Sequence, residues 1–148
     1  MTHITTTQEA SEWQPYHLDH YAQELVIANR DKENVLNESH KMRMAVAYGL
    51  ERFWGEHLRL MRENKGKGEY WKDVWKKLAK ILEDAGITLP NDEVQPQETQ
   101  KIKEMTQKIW NMPISDQRVA LMVLTQFCDA LVWWTQRYKR KNQQNGDD

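Results

Sequence analysis

The chain has almost nothing from which to build a disulfide, a β-sheet or a membrane span. Its single cysteine, Cys128, cannot close an internal bridge, so a reducing compartment is expected. Six glycines, four prolines and almost no runs of alternating β-branched residues remove the strand and tight-turn signals, which leaves an all-α reading. No apolar run approaches the roughly 20 residues needed to cross a bilayer. MTHITTTQEASEW has neither the basic start nor the apolar core of a secretory signal, so a soluble, cytoplasmic protein with no membrane partner is expected. There are only two phenylalanines but seven tryptophans, so the aromatic content is concentrated in amphipathic indoles. At 148 residues the chain is long enough for one domain with a real core.

Apolar residues recur at helical spacing along most of the chain. The longest such stretch is residues 115–141, SDQRVALMVLTQFCDALVWWTQRYKRK. Val119, Met122, Val123, Phe127, Ala130, Leu131, Trp134 and Tyr138 share one side of a 3.6-residue period. Leu121, Leu124, Val132 and Trp133 widen that face, so burial on more than one side is expected. Pro113 ends whatever precedes it, and Ser115 is a candidate cap.

Before this helix, residues 1–12 read as a flexible leader and residues 13–141 as a single helical-bundle domain. Residues 142–148 read as a disordered tail. A first helix from about Pro15 to Asn29 carries Leu18, Tyr21, Ala22, Leu25, Val26 and Ala28. NRDKEN either breaks the chain, with Asp31 as a new cap, or continues the helix. A second helix over residues 33–63 would turn Leu36, Met44, Ala47, Tyr48, Leu50, Trp54, Leu58 and Met61 inward. NKGKG reads as a mobile cationic loop before a third helix over 69–85, which Gly86 would cap in the left-handed conformation. Residues 87–97 read as an extended, proline-stiffened linker. A fourth helix over 98–111 turns Ile102, Met105, Ile109 and Trp110 inward. Five helices in a compact bundle result.

Few residues point to catalysis. Cys128 lies beside Phe127 on an apolar face, as a small buried hydrophobe would. His17, His20 and Glu24 can share a helix face, as in part of a metal site, but an exposed polar face has the same pattern. NKGKG lacks the serine or threonine and the preceding strand of a phosphate cradle. No nucleophile–base constellation is recognisable, so neither enzyme activity nor a cofactor is expected.

Charge is sorted along the chain. Residues 1–40 hold seven acids and two bases, residues 59–80 hold eight bases and three acids, and residues 83–104 hold six acids and two bases. Lys72, Lys76 and Lys80, spaced by four, form one stripe of the third helix. Arg52, Arg59 and Arg62 lead into Lys65 and Lys67, and Arg137, Lys139, Arg140 and Lys141 close the body. Merged, these would make a patch for a phosphate backbone, with Trp133 as a candidate stacking residue. Plain solvation is the alternative. The net charge of −1 fits a bipolar subunit of an assembly better than an autonomous binder.

A small, helical, tryptophan-rich chain with a basic stripe resembles the small subunits of type I and type III CRISPR effector complexes. WNMPISDQRVALMVLTQFCDALVWWTQRYKRK is the most similar segment in character. It also resembles the C-terminal helical region of the type I-D large subunit, from whose gene a separate small subunit is translated internally; the leader would suit such a start. The resemblance is general over residues 13–141 and carries no motif. It implies several copies lining the guide RNA–target duplex, holding the displaced single strand, beside the backbone and large subunits and adjacent copies of the same chain. A helical adaptor with no nucleic-acid role is the alternative.

Overall fold

A computed structural model of the protein describes residues 15–140. The leader, Trp13, Lys141 and the tail lie outside the described residues. The order is α1 (Pro15–Asn29), α2 (Glu38–Ala45), a short 3-10 turn (Val46–Tyr48), α3 (Leu50–Glu63), α4 (Lys65–Asp84), α5 (Thr99–Trp110) and α6 (Ile114–Tyr138). Among the described residues there is no strand, and they form an all-α bundle of six α-helices where five were expected.

The extra helix arises because the expected second helix does not run through. Residues 30–37 are a series of turns, and Asp31 does not cap α2, whose N-terminal flank is Asn37. Asn34 sits at φ 63°, a left-handed conformation that asparagine tolerates. Gly49, at φ 98° and ψ 170°, then separates the 3-10 turn from α3. This break shifts the phase of the two halves. Met44, Ala47 and Tyr48, expected inside, are exposed, while Phe53 and His57 are buried.

The NKGKG loop is also corrected. Asn64 alone, extended at φ −155°, separates α3 from α4, and its Oδ1 accepts a hydrogen bond from the Lys67 N–H at 3.3 Å. Lys65 to Gly68 are already helical. Gly68 is where the two helices touch: a Cβ there would lie 2.7 Å from the Met61 backbone nitrogen. Accordingly α3 and α4 are the most extensively packed pair, followed by α1 with α6.

Gly86, at φ 83°, ends α4 as expected. The Ile87 N–H donates to Leu82 O at 2.8 Å and the Gly86 N–H to Glu83 O at 3.0 Å, the two bonds of a Schellman end. α6 starts one residue earlier than expected, with no side-chain cap from Ser115, and stops at Tyr138, where Lys139 turns extended. It packs on α1, α2 and α4 and buries Val123, Leu124, Phe127, Cys128 and Leu131. Trp110 and Met122, expected inside, face solvent.

Polar atoms pin the centre. Ser39 Oγ lies 2.7 Å from both Tyr70 Oη and Thr135 Oγ1, tying α2, α4 and α6 together in the buried core. Burial pushes the Tyr70 hydroxyl well above its usual range. Glu38 is only 2% exposed. Its Oε1 accepts the Trp71 indole N–H at 2.9 Å. Its Oε2 lies 3.3 Å from Lys41 Nζ and 3.6 Å from Lys67 Nζ, ion-pair distances without hydrogen-bond geometry.

Candidate nucleic-acid interface

The expected basic residues divide into two sets. The first gathers at one end of the bundle. Lys65 and Lys67 open α4, directly after Arg62 near the end of α3. The start of α4 lies against Val35: a Cβ on Gly66 would be 3.3 Å from its Cγ2. Lys67 reaches Glu38, and Lys139 Nζ donates to Asn37 Oδ1 at 2.7 Å. Arg140 pairs with Asp31 at 2.6 Å, and the Arg30 Nε–H donates to the Tyr138 carbonyl at 2.8 Å. Residues 30–38 thus bring the α3–α4 junction and the α6 tip together, two segments more than seventy residues apart. Sequence order alone could not show this meeting.

In the second set, on α4, two of the three lysines are paired. Lys72 and Lys76 both face Glu93, Lys76 at 3.7 Å. Glu93 comes from residues 85–98, which cross α4 as a strap. Leu89 and Val94 are buried, the Trp75 indole N–H donates to Pro90 O at 2.9 Å, and Asp92 pairs with Lys108 of α5. Arg59 is held by Glu56 and Glu63 on its own helix, which raises its pKa further. No carboxylate among the described residues lies within ion-pair distance of Arg52, Arg62, Lys65, Lys80, Arg137 or Lys139. Of the expected cations these six are without a carboxylate partner among the described residues, although Lys139 is engaged by Asn37.

Trp133 is 46% exposed, and the Arg137 guanidinium lies 3.4 Å from the centre of its ring, so the stacking candidate already carries a cation. Trp134 is edge-on to Trp133 and stacks on Tyr138. Sequence reasoning missed a second aromatic–cation pair. Tyr48 is 66% exposed, with the Arg52 guanidinium 5.8 Å from its ring centre. The signal was present as Tyr48-Gly49, an aromatic followed directly by a helix-breaking glycine.

Among the described residues no group of three or more potential metal ligands gathers, and Glu24, on the face expected to carry His17 and His20, pairs with Lys77 at 3.6 Å. Burial pushes the Cys128 thiol up to about 12, so it stays protonated at neutral pH. No helix among the described residues is long and apolar enough to cross a membrane.

His57 is buried beneath the strap beside Lys72. Desolvation lowers its pKa; the Nδ1 contact with the Trp54 carbonyl opposes this, and the Lys72 charge adds to it. The unfolded chain therefore binds a proton that the folded chain refuses. The resulting stability is fully present above the ordinary value of 6.5 and is lost as pH falls below it. The urea midpoint is expected to drop between neutral and mildly acidic pH. The drop should be smaller in His57→Gln; an equal drop would mean that other groups cause it.

In comparisons with known proteins, no family model, no curated protein and no solved structure matches this chain.

Proposed function

We propose that this chain is a non-catalytic helical subunit of a CRISPR ribonucleoprotein effector. In this role several copies lie along the guide–target duplex, and basic side chains hold the displaced single strand by its phosphates. The supporting observation is the convergence of Arg62, Lys65, Lys67, Lys139 and Arg140 at one end of the bundle, where only part of their charge is matched by Glu38 and Asp31. Such a cluster favours a polyanion without reading its sequence. The α4 lysine stripe is a weaker contributor than its spacing implied, because Glu93 faces two of its three members.

A helical adaptor with no nucleic-acid role is the second reading. It is favoured by the exposed apolar side chains Trp110, Ile114 and Met122 and by the capture of Lys72 and Lys76.

Titration of labelled single-stranded DNA or RNA at low and high salt separates the two. The first reading predicts weak binding that falls as salt rises, by about 0.7 log units per tenfold salt for each phosphate contact. Glu93→Gln should tighten binding severalfold at low salt by freeing Lys72 and Lys76. Glu104→Gln, the same charge change on an exposed face of α5, controls for net charge. Absence of binding at low salt would leave the adaptor.

A further inference from the structure

Beside the cationic end lies a groove of about 400 Å³, lined by Lys41, Met44, Tyr48, Arg52, Glu56 and the indole of Trp71. Its parts come from three helices. Lys41 and Met44 lie one turn apart on α2, Tyr48 ends the 3-10 turn, and Arg52 and Glu56 follow on α3. Gly49, with a backbone conformation that side-chain-bearing residues rarely adopt, breaks the helix immediately after Tyr48 and leaves the ring at a corner. Trp71 is 2% exposed and anchored through its N–H to buried Glu38, so that wall is fixed.

We infer that this groove is a stacking subsite for an unpaired nucleobase of a single strand, with Tyr48 and Met44 against the base and Lys41 and Arg52 toward the flanking phosphates. The inference rests on the nucleic-acid reading proposed above and deepens it. Three observations choose this occupant. Tyr48 and Met44 are 66% and 73% exposed, a polarisable thioether beside an aromatic ring that has the Arg52 guanidinium over one face. The one lining acid, Glu56, is bound to Arg59 and Lys41 is paired with Glu38, so Arg52, with no carboxylate among the described residues within ion-pair distance, is the unmatched charge of the groove. Lys41 and Lys67 both lie at the Glu38 carboxylate, which places the groove next to the cationic end. A duplex cannot use the groove, because its bases are already stacked; the subsite therefore gives the chain a preference for displaced strands.

The test measures affinity for a short oligothymidine, an abasic strand of the same length and a duplex, at one low salt concentration. The native chain should bind oligothymidine about tenfold more tightly than the abasic strand. Tyr48→Ala should erase that difference while leaving abasic and duplex binding unchanged, and Tyr48→Phe should retain it. Equal native affinity for the two single strands, or a Tyr48→Ala loss shared by all three ligands, overturns the stacking subsite and leaves backbone binding standing. No binding of any of the three overturns the nucleic-acid reading and this one with it.

Discussion

Replacing Gly68 with valine should lower the thermal midpoint by roughly 10 °C. Gly68 is buried where α3 and α4 cross most closely, and even a single added carbon would meet the Met61 backbone nitrogen at 2.7 Å. The Met61 thioether at the same distance can swing away, but the backbone cannot without parting the helices. Overpacking of this kind costs about 3 kcal/mol, and each kcal/mol shifts the midpoint of a chain this size by about 3 °C. Gly55→Ala is the counterpart. Its nearest neighbour is a Glu51 carboxylate oxygen at 3.8 Å, so relief of helix-propensity strain should dominate and raise stability by about 0.5–1 kcal/mol. Opposite signs in urea midpoints are the expected outcome. A Gly68→Val midpoint equal to the native one would show that the α3–α4 contact is looser than the structure has it.

Reversing Arg62 and Lys65 to glutamate should weaken single-strand binding at low salt by at least about tenfold. It should also make the salt dependence shallower by about 1.4 log units per tenfold salt, the contribution of two phosphate contacts. Both residues are exposed and neither has an ion-pair partner among the described residues, so the fold should hold, with stability changed by no more than about 0.5 kcal/mol. Lys76→Gln should shift binding much less, because Lys76 shares Glu93 with Lys72. The reading in the proposed function loses its main support if the Arg62/Lys65 variant binds like the native chain, or if Lys76→Gln matters more.

The parts of this fold that were legible in the sequence are those set by local chemistry. α6 follows its apolar period, Gly86 ends α4 with the left-handed turn its position implied, and Cys128 is buried beside Phe127. Periodicity failed where one phase was carried across a hidden break. Over residues 33–63 the apolar spacing implies a single helix through Gly49 with Met44 and Tyr48 in the core, but the chain resets at Gly49 and both side chains are exposed. The NKGKG segment failed for a different reason. Two glycines usually mark a turn, but here Gly68 provides close approach and one asparagine makes the corner. The pairing of Lys72 and Lys76 with Glu93 joins positions about twenty residues apart through a strap that carries no periodicity of its own, so no pattern on α4 could announce it. The candidate site was legible as a list of cations. Which of them remain available to a polyanion is a tertiary property.

α5 packs principally on α3, burying Met105 and Ile109, and is further tied to the strap by the Lys108–Asp92 pair and to α6 by the Gln117 amide, which donates to the Trp110 carbonyl at 3.3 Å. Such an outrigger has fewer moorings than the hull, where the Ser39–Tyr70–Thr135 knot ties together three other helices, so local opening is expected to begin at α5. Shedding it would also loosen the segment that carries Glu93, so the same excursion that unships α5 would bare the lysines of α4.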